Sequence, residues 1–354
     1  MQKRREFLNT ILSAGAIIGA AAIPWQPVQG QSIKKNILPP ALEEGDTVGL
    51  ITPASSLFEG HRTLIEATEK MNALGFKVKA GKNIFKTKGY LAGSIEDRLE
   101  DIHDMFQDND VKAIITIRGG YGSGQLLPYL DYELIRNHPK ILVGYSDITS
   151  LLLGIYRKTG LVTFHGPVAT STFTDFTTKY FKKVLMNAEP AGEIDDAPYD
   201  DNHQTSSRIW TLNGGKSRGR LIGGNLSLMQ ATMGTPFEFE SDGAIIFIEE
   251  VGEEPYYIDR IMNQFKMAGK FDKCQGVIFD KLSDVQPSKF GASFYRNLSV
   301  EEVITDYFKD YDFPVCVGFS LGHIKNKPTM PLGILAELDA DRKKLSFLEA
   351  AVQN

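Results

Sequence analysis

The sequence predicts an α/β protein: an N-terminal domain with a doubly wound, mostly parallel sheet, and a smaller C-terminal α/β domain that ends in a hairpin. Three observations support this prediction. Apolar strand-like segments alternate with amphipathic helical segments through the first half of the chain, an order typical of parallel sheets. An acidic, proline-containing stretch without apolar periodicity interrupts this alternation at residues 187–207. The length of 354 residues also favours two hydrophobic cores over one.

The first 30 residues predict a signal peptide that is removed on export. A charged start with the pair Arg4-Arg5 precedes an apolar run at residues 11–23, which is shorter than the roughly 20 residues needed to span a bilayer. The paired arginines favour a signal of the twin-arginine type. Residues 31–44 then form a linker. We therefore expect a periplasmic or otherwise exported protein that meets a membrane only through this signal.

The N-terminal domain is expected at residues 45–186. Apolar runs bounded by turn residues predict strands at 47–52, 76–80, 111–117, 141–145 and 161–164, and helical periodicity predicts helices at 61–74, 94–106 and 148–158. Ser94 and Asp97 have the spacing of a capping box at the start of the second helix. Residues 187–207 connect this domain to the next.

The C-terminal domain is expected at residues 208–354. Apolar runs predict strands at 244–248, 276–279 and 314–319, and a final hairpin is predicted from residues 335–338 and 345–348. A helix with apolar residues at 258, 261, 262 and 265 lies between the first two strands. Cys274 and Cys316 occur in apolar, strand-like segments, and we expect both to be buried and unpaired.

The composition argues against several classes of function. The net charge of −5 and the absence of a basic stripe argue against nucleic-acid binding. Six histidines and two cysteines are few and scattered, without the spacing of metal ligands. We therefore expect no metal and no cofactor.

Ser146 stands between an apolar strand and an apolar helix, in the sequence Gly144-Tyr-Ser-Asp147. A serine at such a junction resembles a nucleophile elbow, in which the turn exposes the hydroxyl and the following N–H groups face an oxyanion. Ser and Asp are also favoured helix N-caps. On this segment alone, an N-cap formed by Ser146 or Asp147 is the simpler interpretation.

A glycine-rich loop follows the predicted strand at 111–117, with the sequence Arg118-Gly-Gly-Tyr-Gly-Ser-Gly124. Its glycines allow the backbone to approach a ligand closely. The loop departs from a dinucleotide fingerprint at Gln125, and no Gly-Lys-Ser/Thr follows that would make a Walker A loop. A flexible turn and a functional loop remain equally good interpretations.

Acidic residues and a histidine follow two strands of the C-terminal domain. Glu249 and Glu250 come after the strand at 244–248, and His323 comes shortly after the strand at 314–319. Open sheets usually form their sites beyond the carboxyl ends of strands. A serine nucleophile needs a histidine to accept its proton and a carboxylate to orient that histidine. Taken singly, His323 is more typical of a satisfied loop histidine, and Glu249 or Glu250 of a solvated acid.

Together these segments resemble the LD-carboxypeptidase family, which includes murein tetrapeptide carboxypeptidases and microcin C immunity peptidases. Eight segments match in the family's order, across residues 41–350. They are Gly45–Ser55, Gly89–Gly93, Arg118–Gly122, Gly144–Asp147, Phe164–Pro167, Gly223–Leu226, Phe247–Glu250 with Tyr256–Arg260, and Gly318–His323.

The resemblance implies a serine peptidase with a Ser-Glu-His triad. The serine of the Gly-Tyr-Ser-Asp turn is Ser146, the glutamate maps to Glu249 rather than Glu250, and the histidine is His323. The resemblance also implies an oxyanion hole formed by backbone N–H groups of Asp147 and the glycine loop, with Gly119 and Gly120 as candidates. A homodimer is implied by the family alone.

The activity that this resemblance implies is hydrolysis of the bond before a terminal D-alanine in murein tetrapeptides. One alternative keeps the triad and takes peptidyl-nucleotide antibiotics as substrate, as the immunity peptidases do. Another alternative, from a different class, is an exported protein that binds murein peptides without cleaving them. The substrate is a small peptide in each case.

Overall fold

Residues 35–198, 208–287 and 293–354 are described by a computed structural model of the chain. The signal predicted at residues 1–30 lies outside the described residues, as do residues 199–207 of the predicted connection between the domains. All described residues belong to one unit, Ile33–Asn354. It contains two β-sheets, and its buried apolar residues form one continuous core.

The secondary-structure elements follow one another with short connections. The strands are β1 (Thr47–Ile51), β2 (Lys77–Ala80), β3 (Val111–Thr116), β4 (Ile141–Gly144), β5 (Phe164–His165), β6 (Gly192–Glu193), β7 (Trp210–Asn213), β8 (Lys216–Asn225), β9 (Ala244–Glu249), β10 (Gly276–Asp280), β11 (Val315–Phe319), β12 (Met330–Pro331), β13 (Leu335–Asp339) and β14 (Lys344–Phe347). The helices are α1 (His61–Ala73), α2 (Ile95–Gln107), α3 (Tyr132–Asn137), α4 (Thr149–Thr159), α5 (Asp175–Leu185), α6 (Leu226–Ala231), α7 (Pro255–Met267) and α8 (Val300–Phe308). Two 3₁₀ helices span Ser123–Tyr129 and Ser146–Ile148.

The first sheet has the strand order β12-β5-β4-β3-β1-β2. The pairs from β2 to β5 are all parallel, and β12 joins the edge in the antiparallel direction. Strands β2 and β3 lie on opposite sides of β1, so the chain reverses its direction of travel there. This confirms the predicted doubly wound sheet, in which ligands bind beyond the carboxyl ends of the strands.

The second sheet has eight strands in the order β6-β14-β13-β8-β9-β10-β11-β7. Its centre, from β8 to β11, is parallel, while β13, β14 and β6 on one side and β7 on the other are antiparallel. Strands β13 and β14 form the predicted hairpin. Strand β9, which ends in the candidate residue Glu249, and strand β11, which precedes His323, are buried and lie on either side of β10.

The longest strand, β8, is not evident in the sequence because glycine dominates it. At three glycines of β8 the backbone packs directly against a neighbouring element, with no room for a side chain; they are Gly219, Gly223 and Gly224. A Cβ on Gly219 would lie 2.6 Å from the carbonyl oxygen of Gly243, and one on Gly224 would collide with Thr149 of α4. The glycines therefore permit close packing of β8 against its neighbours, although they carry no apolar periodicity.

The two sheets exchange short segments at their edges. Within the predicted connection 187–207, strand β6 pairs with β14, and the N–H of Ile194 donates to the carbonyl of Leu345. Conversely, β12 follows the second sheet's β11 in the chain but pairs with β5 of the first sheet. The described part of the connection is therefore an edge of the second sheet, which a search for apolar periodicity overlooks because β6 has only two residues.

Other expectations concern single residue types. Cys274 and Cys316 are buried and unpaired, as predicted. Within residues 35–198, 208–287 and 293–354, no group of histidine, cysteine and acidic side chains has the arrangement of a metal site. In those same ranges, no helix has the length and apolar character required to cross a membrane. The capping box of α2 is present, with reciprocal bonds between Ser94 and Asp97.

Candidate active site

Ser146 begins a tight turn directly after β4. Its φ of 62° lies in the left-handed region, which a non-glycine residue seldom adopts. The preceding Tyr145 is extended, and the chain passes through a 3₁₀ turn at Ser146–Ile148 into α4. This strained strand–turn–helix is the geometry of a nucleophile elbow. No side chain caps the 3₁₀ turn or α4, so the N-cap interpretation of Ser146 and Asp147 is wrong.

The Asp147 carboxylate instead holds the glycine loop. Its two oxygens accept hydrogen bonds from the N–H of Gly122 at 3.1 Å and the N–H of Ser123 at 2.8 Å. The Ser123 hydroxyl donates in return to the Asp147 carbonyl at 2.5 Å. Because Asp147 is buried, these bonds are shielded from competition with water. The glycine loop is thereby fixed beside Ser146 and is not a flexible turn.

The three residues selected from the sequence as a triad lie together in the structure. His323 Nε2 is 3.1 Å from Ser146 Oγ, and His323 Nδ1 is 2.8 Å from Glu249 Oε2. An ionised carboxylate only accepts hydrogen bonds, so Nδ1 carries the proton and Nε2 accepts from the serine hydroxyl. This arrangement lets His323 act as a general base towards Ser146, with Glu249 fixing its tautomer.

The structure also separates the roles of the two adjacent glutamates. Glu249 is fully buried at the end of β9 and faces His323. The carboxylate of Glu250 is occupied elsewhere. It accepts hydrogen bonds from the Asn225 amide, from the N–H and hydroxyl of Ser227, and from the N–H of Val251. Glu250 therefore anchors the start of α6, and Glu249 is the residue available to the histidine.

The three candidate oxyanion-hole residues differ in their distance from the nucleophile. A Cβ on Gly119 would lie 3.3 Å from both Ser146 Oγ and the Asp147 backbone nitrogen. The space beside the nucleophile therefore exists because residue 119 has no side chain. Gly120 has a φ of +115°, and a Cβ on it would collide with Ser55. Gly120 is therefore sterically required, whereas Gly119 lies next to Ser146 and leaves only limited room for a side chain.

Arg98 supports the glycine loop and was not selected from the sequence. Its side chain is 2% exposed and donates to the carbonyls of Pro53 and Gly122 at 3.1 and 2.9 Å, and to Gln125 Oε1 at 3.0 Å. A cation buried this deeply needs such acceptors. The sequence does contain an indication of its burial, because position 98 falls on the inward face of the predicted helix, four residues before the apolar Ile102.

Two further buried groups surround the triad. His165 is fully buried, and burial lowers its pKa to about 4, so its ring is neutral and bonds the Leu321 carbonyl at 3.1 Å. The Lys327 ammonium lies 4.3 Å from the centre of the Tyr145 ring, and burial lowers its pKa to about 8 despite the attraction of Glu249. His165 belongs to a segment that matches the family, whereas Lys327 has no distinguishing sequence signal.

Aromatic side chains border the glycine loop on its exposed side. Tyr121 is 55% exposed and packs edge-on against Tyr90, with ring centres 5.4 Å apart. The Arg118 guanidinium lies 3.9 Å from the centre of the Phe58 ring and donates to the carbonyl of Ser56. These groups provide an apolar surface with a cation, Arg118, beside the glycine loop.

Comparison with known proteins agrees with this geometry. Residues 48–166 match the model of the LD-carboxypeptidase N-terminal domain, and residues 218–338 match that of the LD-carboxypeptidase C-terminal domain. A probable murein peptide carboxypeptidase of Bacillus subtilis (strain 168) is 39% identical over 322 residues, covering 90% of this chain and 96% of that protein. The microcin C7 self-immunity protein MccF of Escherichia coli is 32% identical over 340 residues, covering 88% and 96%.

A solved structure of MccF in complex with aspartyl sulfamoyl adenosine has a similar fold. Its TM-score is 0.77 and its sequence is 29% identical, with 90% of this chain and 100% of that chain covered. The similarity therefore extends over both sheets and both matched segments.

Proposed function

The chain belongs to the LD-carboxypeptidase family and is a serine-type carboxypeptidase, and we propose that it releases the terminal D-alanine of murein tetrapeptides. The hydrogen-bonded series Ser146–His323–Glu249 carries this proposal. A serine hydroxyl is a weak nucleophile near neutral pH, and this arrangement supplies the base and the orienting carboxylate that activate it. The similarity to a murein peptide carboxypeptidase supports the substrate class.

The proposed reaction uses each group in turn. His323 Nε2 takes the Ser146 proton while Oγ attacks the carbonyl before D-alanine, and the oxyanion faces the backbone N–H groups of Asp147 and the glycine loop. His323 then protonates the leaving amine, which breaks the peptide bond and releases D-alanine. Water, deprotonated by the same histidine, hydrolyses the acyl group and regenerates the serine.

Mass spectrometry of murein tetrapeptides tests this proposal. The purified protein should release D-alanine, and Ser146→Ala should reduce the rate by several orders of magnitude. Ser150→Ala is the matched control, because its hydroxyl, one turn further on, has no hydrogen-bond partner among the described residues. Equal release by wild type and Ser146→Ala would exclude Ser146 as the nucleophile.

Cleavage of a peptidyl or aminoacyl nucleotide is the second candidate activity. The TM-score of 0.77 to MccF with aspartyl sulfamoyl adenosine favours it, and the exposed pair Tyr90 and Tyr121 offers a surface on which a base could stack. Parallel assays with a murein tetrapeptide and an aminoacyl sulfamoyl nucleotide discriminate the two. A larger kcat/KM for the nucleotide would replace the murein proposal.

Capture of murein peptides without cleavage is the candidate from another class. It predicts tight binding of the tetrapeptide by calorimetry, with no D-alanine after long incubation. The contact between Ser146 and a His323 ring that Glu249 orients argues against it, because binding alone requires no activated hydroxyl.

We further propose that the protein acts outside the cytoplasm as a homodimer. The twin-arginine-like start and apolar run at residues 1–30 support export, and family resemblance supports the dimer. Fractionation and N-terminal sequencing test export, with cytoplasmic protein starting at Met1 as the contrary result. Light scattering tests the dimer against the 39.3 kDa mass of one full-length chain.

A further inference from the structure

Asp280 is a fully buried carboxyl group at the end of β10, next to the triad. Strand β10 lies between β9, which ends in Glu249, and β11, which leads to His323. One Asp280 oxygen accepts from the Leu282 N–H at 2.6 Å. The other, Oδ2, meets no hydrogen-bond donor among the described residues, and neither does Glu249 Oε1. Two orphaned carboxyl oxygens thus occur on neighbouring strands.

The two carboxyl groups approach each other at Gly322. A Cβ on Gly322 would lie 2.8 Å from Asp280 Oδ2 and would also collide with Glu249 Oε2. Because residue 322 has no side chain, nothing separates the two carboxyl groups on that side. Like charges at roughly 4–6 Å cannot both remain ionised in a buried site without a large cost.

The surrounding charges decide which group keeps a proton. Glu249 accepts the His323 Nδ1–H, which stabilises its ionised form, and the Glu250 carboxylate is satisfied by four donors. The Asp280 carboxyl group accepts from the N–H of Leu282 and interacts with the backbone of Glu250, but these two contacts favour its ionised form less than burial and the charge of Glu249 oppose it. The titratable groups that act on Asp280 or Glu249 are Glu250 directly after β9, Tyr145 directly after β4, His165 of β5, and His323 and Lys327 from the segment after β11. Lys281 is the neighbour of Asp280 in the chain.

We propose that Asp280 is a positioning residue for the triad: its carboxyl group stays protonated and donates a hydrogen bond to the Glu249 carboxylate. This bond holds Glu249 towards His323 and keeps a second negative charge out of the site. An ionised Asp280 would stabilise the imidazolium form of His323, so that less of the neutral imidazole would be available to take the Ser146 proton near neutral pH. Burial, followed by the charge of Glu249, raises the pKa of Asp280 well above its ordinary value. The role in turnover rests on the proposed function, whereas the protonation state does not.

Two variants with the same number of side-chain non-hydrogen atoms as aspartate separate these possibilities. Asp280→Asn keeps a neutral donor towards Glu249, whereas Asp280→Leu removes it. On the tetrapeptide, kcat of Asp280→Leu should lie about ten- to a hundredfold below that of Asp280→Asn, the range of a hydrogen bond to a charged group, with similar KM values. At alkaline pH, wild type should lose activity as Asp280 ionises, and Asp280→Asn should not. Equal kcat for the two variants would overturn the positioning role.

A stability measurement tests the protonation state without reference to activity. A raised pKa in the folded state means that wild type has its full stability below the unfolded-state pKa, about 4, and loses stability as pH rises towards the folded-state pKa. The Tm of Asp280→Asn minus that of wild type should therefore increase from pH 4 to pH 8. A constant or decreasing difference would show that Asp280 is ionised and would overturn the proposal. If the difference in Tm increases but wild type releases no D-alanine, Asp280 is protonated as proposed, and the proposed function is wrong.

Discussion

Ser146 combines a left-handed backbone with a reactive hydroxyl, and both follow from its position between β4 and the 3₁₀ turn. The conformation costs roughly 1–2 kcal/mol for a residue with a Cβ. It persists because Asp147 ties the turn to Gly122 and Ser123. This strained conformation directs the hydroxyl towards His323. The hydrogen bonds of Asp147 that stabilise it also fix the glycine loop of the site.

Replacing Ser146 by glycine or by alanine separates strain from chemistry. Both variants lose the hydroxyl and should release no D-alanine, but Ser146→Gly should be more stable than Ser146→Ala by about 1 kcal/mol, because only glycine accepts the φ of 62° without strain. Urea unfolding measures this difference. At Ser150, inside α4, the order should reverse, because glycine destabilises a regular helix relative to alanine. If the glycine variant were the more stable one at both positions, or the alanine variant at both, the backbone of Ser146 would not be strained as described.

The adjacent acids Glu249 and Glu250 should respond to the same substitution in opposite ways. Glu249→Gln should lower kcat by about four orders of magnitude, because an amide can donate to Nδ1 and favour the wrong histidine tautomer, while the fold persists. Glu250→Gln should leave the His323–Glu249 bond in place and destabilise the protein by about 1–3 kcal/mol, because it mismatches donors now bound to a carboxylate. Steady-state kinetics and urea unfolding of both variants check this. A larger kcat loss in Glu250→Gln would reverse the assignment.

Single residues also show what the sequence can and cannot reveal. Ser146, Glu249 and His323 stand at strand ends and within family-like segments, so their types and positions identify them. Asp280 also ends a strand, yet one carboxyl among 44 acidic residues has no local signal. Its significance arises only from its approach to Glu249 across Gly322, a contact between three distant parts of the chain.

At the scale of elements, the glycine loop is a rigid wall of the site. Its backbone is bonded by Asp147 on one side and by Arg98 on the other. Among its glycines, Gly119 borders Ser146, whereas Gly124 faces Ser150 at 3.4 Å, an ordinary contact distance. Neither has a φ in the left-handed region, so alanine is compatible with both backbones.

These two glycines provide a matched pair of substitutions. Gly119→Ala should lower kcat by roughly a hundredfold or more, the effect of losing an oxyanion donor, because its methyl group would fill the space beside Ser146 Oγ and the Asp147 nitrogen. Its Tm should fall only modestly, because the methyl group would lie 3.1 Å from Ser146 Cβ and the turn must shift slightly to admit it. Gly124→Ala should keep wild-type kinetics. Full activity in Gly119→Ala would mean that the oxyanion lies elsewhere.

The elements that the sequence predicts well are those with an apolar signal. Strands β1, β3, β4, β9, β10 and β11 are predominantly apolar because both faces of a parallel sheet are largely buried. Strand β8 escapes notice because glycines replace apolar residues where it packs closely. Strands β5, β6 and β12 have two residues each, and such pairs are determined by contacts with distant segments.

At the scale of the whole molecule, the segment that carries His323 joins the two sheets. His165 of β5 bonds the Leu321 carbonyl, and β12 then pairs with β5 itself. Asn225, at the end of β8, is bonded through its N–H to Thr149 at the start of α4. Ser146 from the first sheet and His323 from the second are thus held at a fixed distance, and no domain closure is required to form the hydrogen bond between them.

The buried, neutral His165 makes the stability of this arrangement dependent on pH. Its folded-state pKa of about 4 lies below the ordinary value of about 6.5. Its contribution to stability is therefore fully present above pH 6.5 and is lost as pH falls towards 4, because the unfolded chain binds the proton more readily.

From pH 7 to pH 5, the free energy of unfolding of wild type should fall by about 2 kcal/mol more than that of His165→Gln. Protonated Asp280 acts in the opposite direction over this range, but it is common to both proteins and cancels in their difference. Exposed His61 supplies the control substitution His61→Gln. Parallel pH curves for wild type and His165→Gln would show that His165 is not buried as a neutral ring.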